Sequence, residues 1–158
     1  MTAPNRFVVR PLPPTVLAAV RRGGRDSAGR PVEAVVAEGD EPLRCCLRDA
    51  RAGEELLLFG YAPPVAAGPY REVGPVFAHA DACAGPVPGG GYPQAWRGRP
   101  QVLRAYDRRG RICGGRRHDG TDPETVIAEL FADPAVHQLH SRNVVYGCFM
   151  FTLDRAGE

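Results

Sequence analysis

HQLHSRNVVYGCFMFTLD, residues 137–154, holds two β-rich runs separated by Val145, Tyr146 and Gly147. A parallel pair needs a crossover of a dozen residues or more, so runs this close in sequence predict an antiparallel hairpin. Working outward, QVLRAYD (101–107) and residues 111–116 flank Arg108, Arg109 and Gly110, which reads as a second hairpin. EELLLFGY (54–61) carries a continuous apolar run after Gly53 and predicts a core strand covered on both faces. GPVFAHA (74–80) predicts another strand, and so do residues 6–12 and 32–37. Residues 45–50 are ambiguous, and residues 85–98 read as loop or a short helical turn.

Two helices are expected. Residues 15–22 follow Pro14 and end at Gly23 and Gly24. Residues 123–132 follow Asp122, a good N-cap, with Pro123 at the first helical position. Val126, Ile127, Leu130 and Phe131 then fall on one face, a core stripe. Strands outnumber helices and mostly succeed one another directly. The expected fold is therefore α+β, a mainly antiparallel sheet or partly closed β-barrel with one or two packed helices.

The 158 residues suit one domain spanning 1–158, with residues 1–44 its less certain part and 45–155 its core. Nineteen glycines and 16 prolines are spread along the chain, as many tight turns require. All 20 basic residues are arginine, so a lysine Schiff base, pyridoxal-phosphate chemistry and a P-loop lysine are excluded. A net charge of +2, with arginines interleaved among 18 carboxylates, argues against nucleic acid as a partner. No apolar run reaches the ~18 residues of a membrane span, and residues 1–10 lack the apolar stretch of a signal peptide. Five cysteines without an export signal point to reduced thiols and a cytoplasmic location.

No Walker loop, GxGxxG turn, GxSxG elbow, HExxH helix or paired CxxC is present. The chemistry-bearing residues lie on strands. Alternation puts Arg104 and Tyr106 on one face of their strand, and His140 and Arg142 on one face of theirs. If the faces meet, two guanidinium groups could fork a carboxylate or phosphate beside a histidine able to exchange protons. Cys148 opens the last strand and could lie near His140 as a nucleophile; the opposing reading is an inert cysteine beside a surface histidine. His79 and Cys83, with Cys45, His140 and Cys148, could hold zinc or iron if the strands converge. Adjacent Cys45 and Cys46 would point to opposite faces of a strand, so at most one joins a cluster.

The stretches CCLRDARAGEELLLFGY, PYREVGPVFAHADAC, LRAYDRRGRI and LFADPAVHQLHSRNVVYGCFMFTLDR together resemble the bacterial domain of unknown function 1203 family. The resemblance implies a single short domain and no assigned activity. Its motifs map onto Cys45, Tyr70, Arg71, His79, Cys83, Arg104, Tyr106, His140, Arg142, Asn143 and Cys148. A basic residue is common in the family where this chain has Cys46. Three functional expectations stand. The first is an enzyme acting on a small anionic or polar metabolite, conceivably in biosynthesis. There Arg104 and Arg142 orient the substrate with Asn143, Tyr70 and Arg71, and His140, His79, Cys148 and Tyr106 supply the chemistry. The second is a Cys/His metal-binding domain, and the third a non-catalytic interaction module, with a homo-oligomer open.

Overall fold

The computed structural model describes residues 6–157. Its strands are β1 (Phe7–Arg10), β2 (Glu33–Val36), β3 (Pro42–Leu43), β4 (Arg48–Asp49), β5 (Glu55–Tyr61), β6 (Gly74–His79), β7 (Gln101–Tyr106), β8 (Ile112–His118), β9 (Gln138–Asn143) and β10 (Phe149–Arg155). Helices α1 (Pro14–Gly23) and α2 (Pro123–Phe131) and a 3₁₀ turn (Gln94–Trp96) complete the described elements. The strands form two open five-stranded sheets, ordered β1-β10-β9-β7-β8 and β2-β5-β6-β3-β4. The α+β expectation holds at this level, while the barrel alternative gives way to two sheets. Pairing is antiparallel throughout except between β3 and β6.

The opening hairpin forms as its spacing demands, with Thr152 opposite His140 and Leu153 opposite Leu139. The Arg108–Gly110 turn also forms. The Asp107 carboxylate accepts from the backbone N–H groups of Arg109 and Arg111, and Gly110 takes φ +76°. In α2 the Asp122 side chain accepts from the Thr125 backbone N–H, and Ile127 and Phe131 are buried. β5 is covered less completely than expected: Leu56 and Phe59 are buried, but Leu57 and Leu58 stay partly exposed.

Each sheet has its own core. One gathers Leu103, Leu139, Phe151 and Leu153 around Trp96 and α2. The other gathers Leu43, Leu56, Phe59 and Val76 against Leu17 and Val20 of α1. Phe149, at the start of β10 in the first sheet, belongs to the second core. Arg44 closes this seam. Its backbone N–H donates to Phe77 and its carbonyl accepts from Leu12, while its side chain donates to the carbonyls of Phe149 at 2.8 Å and Pro42 at 2.6 Å. Among the described residues no helix is long and apolar enough to cross a membrane.

Candidate metal centre

The parallel register of β3 against β6 sets Leu43 opposite Phe77, so the residues just after β3 lie beside the end of β6, at His79. Residues 44–47 are a turn between β3 and β4, closed by Leu47 N–H donating to the Leu43 carbonyl, with Leu47 at φ +59°. Strand alternation does not apply inside a turn. Cys45 and Cys46 therefore reach the same side, their sulfurs 4.0 Å apart, which corrects the expectation that only one of them joins a cluster. His79 turns Nδ1 toward both, 3.4 Å from Cys45 Sγ and 3.8 Å from Cys46 Sγ. Cys83, four residues further on, completes a set of four ligand atoms lying within 4.8 Å of one another.

Those spacings fit a tetrahedral ion. Zinc bonds of about 2.3 Å to sulfur and about 2.0 Å to nitrogen imply edges of roughly 3.5 to 3.8 Å. Three measured edges are already near that range. All five cysteines of the chain are free thiols, so none of the four donors is withdrawn into a disulfide.

The other face of the imidazole is anchored. His79 Nε2 lies 2.7 Å from Glu54 Oε2, and Arg48 holds Glu54 through two parallel hydrogen bonds of 2.9 Å. Arg48 Nη2 also approaches Nε2 at 3.2 Å, and a guanidinium cannot accept a proton. The shorter contact to an ionised carboxylate decides the tautomer. Nε2–H donates to Glu54, leaving the Nδ1 lone pair facing the thiols. Arg48, then the Arg51 backbone N–H and His79, hold the Glu54 carboxyl far below its ordinary range, so it accepts at any ordinary pH. A carboxylate behind a ligating histidine is the usual support for a metal-bound imidazole.

The thiols are polarised too. Cys45 is held below the ordinary thiol range, first by its hydrogen-bond partnership with Cys46 and also by the His79 backbone N–H at 3.3 Å, against the effect of burial. Cys46 is pushed up by that same partnership and by burial. One sulfur is thereby prepared as a thiolate, the form that binds metal.

The sequence model of one family matches residues 40–155. The chain belongs to the DUF1203 family, described as a protein of unknown function. No curated protein and no solved structure matches it. All four cluster residues of this DUF1203 protein fall inside the matched span, whereas β1, α1 and β2 precede it.

The remaining predicted site residues lie elsewhere. His140 and Cys148 are not in the four-residue cluster, because β9 and β10 belong to the other sheet. No hydrogen bond joins these two either. The Cys148 backbone N–H donates to the Asn143 side chain at 3.1 Å, and His140 Nε2 donates to Gln138 Oε1 at 2.7 Å. Arg104 does pair with His140 across the strands, and the Tyr106 ring lies 4.4 Å from the His140 ring. The chain itself supplies the carboxylate that the arginines fork. Glu72 takes Arg104 at 2.8 Å and Arg142 at 3.5 Å, and Arg104 leads in pulling its carboxyl down. Burial, with Arg142 second, pushes His140 down to about 4, so it stays neutral at pH 7. Tyr70 and Arg71 are exposed on the segment before β6. Cys46, Arg48 and Glu54 are the residues that sequence reasoning missed. An i, i+6 Arg–Glu pair beside a vicinal cysteine pair was the only signal for them.

Proposed function

We propose that this DUF1203 protein is a metal-binding domain whose ion is zinc, held by Cys45, Cys46, His79 and Cys83. The observation carrying the reading is the convergence of three sulfurs and one imidazole nitrogen within 4.8 Å, with the opposite imidazole nitrogen on Glu54. Three thiolates and one imidazole suit zinc, and four protein ligands leave no position for substrate, the pattern of a structural site. Such an ion ties the β3–β4 turn to the end of β6 and to the segment that carries Cys83.

An acid–base enzyme built on Arg104, Arg142 and His140 draws no comparable support. Its guanidinium pair already holds Glu72, and a buried neutral histidine is poorly placed to exchange protons at pH 7.

Elemental analysis of protein purified without a tag tests the proposal. About one equivalent of zinc is expected, lost together in Cys45→Ser and His79→Ala. Cobalt exchanged into the site should show the intense bands of tetrahedral thiolate coordination. Less than roughly a tenth of an equivalent, with no cobalt spectrum after reconstitution, defeats the reading.

A further inference from the structure

A cavity of about 910 Å³ lies at the seam between the two sheets, lined by none of the four proposed metal ligands. That is the size range of small-molecule sites, about 300–1,000 Å³. Its walls are mostly apolar: Val35 and Val36 from β2, Leu58 from β5, Phe77 from β6, and Val145 and Tyr146 from the β9–β10 connection. Val36, Val145 and Tyr146 are 66%, 87% and 86% exposed, an unusual amount of apolar surface to leave around one opening.

Arg44 also lines this cavity and is only 2% exposed. A buried cation is normally paired with an anion. Among the described residues no carboxylate lies within ion-pair distance of Arg44. Its two hydrogen bonds go from Nε and Nη1 to the neutral carbonyls of Phe149 and Pro42, and Nη2 makes none to the described protein. Two sheets and two carbonyls thus hold a charged fork rigidly against an apolar chamber. The missing partner is an anion.

The rim explains orientation. Arg117 and Arg99 line the cavity together with Glu38, Asp40 and Glu41, and Arg99 is already paired with Asp49. Glu41 is occupied by the backbone N–H groups of Glu38 and Gly39. Of the three lining arginines only Arg44 is buried, so the charged end belongs there and the apolar body along Val36, Leu58 and Phe77.

We infer that this cavity binds a small amphiphilic carboxylate, its carboxyl group on Arg44 and its hydrocarbon body between the sheets. The site shares no residue with the four proposed zinc ligands, although Arg44 immediately precedes Cys45 in the same turn.

Titration calorimetry of the full chain with dodecanoate, dodecanol and dodecylamine tests it. Wild type should prefer the carboxylate over the alcohol at least about tenfold, the worth of one charge-assisted hydrogen-bonded pair. Arg44→Met should bring that preference close to one while the alcohol still binds. Because Arg44 also bridges the sheets, Val36→Trp is the second variant: an exposed edge position that narrows the chamber without touching the seam. It should weaken dodecanoate severalfold with an unchanged melting temperature. Equal binding of all three probes overturns the inference, as does preference for the amine or no binding at the solubility limit. So does a concentration-dependent dimer that excludes dodecanoate, which would make the cavity a contact between copies.

Discussion

Glu54 shows how one side chain behind a proposed ligand fixes that ligand's state. It is held by Arg48 and the Arg51 backbone N–H, and in turn fixes which imidazole nitrogen of His79 carries the proton. Glu54→Gln keeps the shape but weakens the anchor, and zinc affinity in a chelator competition should fall about 10- to 100-fold while the occupied protein stays folded. An unchanged affinity would remove Glu54 from the site. His140 makes a different residue-scale case, because its burial is a pH term. The unfolded chain takes a proton near 6.5 and the folded chain only near about 4, so the folded state binds fewer protons and stability is lost as pH falls below 6.5. Between pH 7.5 and 5 this amounts to roughly 2 kcal/mol. Urea midpoints of His140→Gln should lack that component, whatever the variant's stability at pH 7.5.

At the scale of elements, the segment from β8 into α2 separates a modest interaction from a severe one. Asp122 caps α2, and Asp122→Ala should cost about 1 kcal/mol in denaturant unfolding. Gly120, two residues earlier, has φ +84°, and a Cβ there would lie 2.4 Å from the Arg99 nitrogen and 2.5 Å from its oxygen. Gly120→Ala should cost about 3 kcal/mol, since backbone must move on both sides of the contact. Elements of this kind were legible in the sequence because their causes are local: the cap at Asp122, the turn at Gly110, the short span from Asn143 to Cys148. The cysteine cluster was only half legible. His79 and Cys83 stand out by type, but Cys45 and Cys46 are placed by a four-residue turn and by a parallel pairing with β6, neither of which leaves a periodic trace. Arg104, Tyr106, His140 and Arg142 do share a neighbourhood as alternation implied. Glu72, from an irregular segment between strands, fills the space between the arginines, and nothing in strand periodicity announces that.

For the whole molecule, the decisive feature is that two sheets carry two cores joined through Arg44, Phe149 and Leu47, while all four proposed ligands lie on the second sheet and its loops. Metal that binds the folded state alone stabilises by mass action whatever its binding orders. At the proposed site it would close the β3–β4 turn onto β6, so its removal should be felt unevenly. Hydrogen exchange on zinc-loaded and chelated protein should show protection falling first at Leu47, Ala50 and Ala80, whose amides hold the turn and the end of β6. Amides pairing β9 with β7 and β10 should keep their protection until global unfolding, because Leu103, Leu139 and Phe151 remain packed around Trp96. Uniform loss across both sheets would mean that the seam couples them into one cooperative unit, with the ion acting on the whole. Loss confined to the second sheet would make the metal a local clasp, and Arg44→Met should then leave the zinc content at one equivalent while uncoupling the two cores.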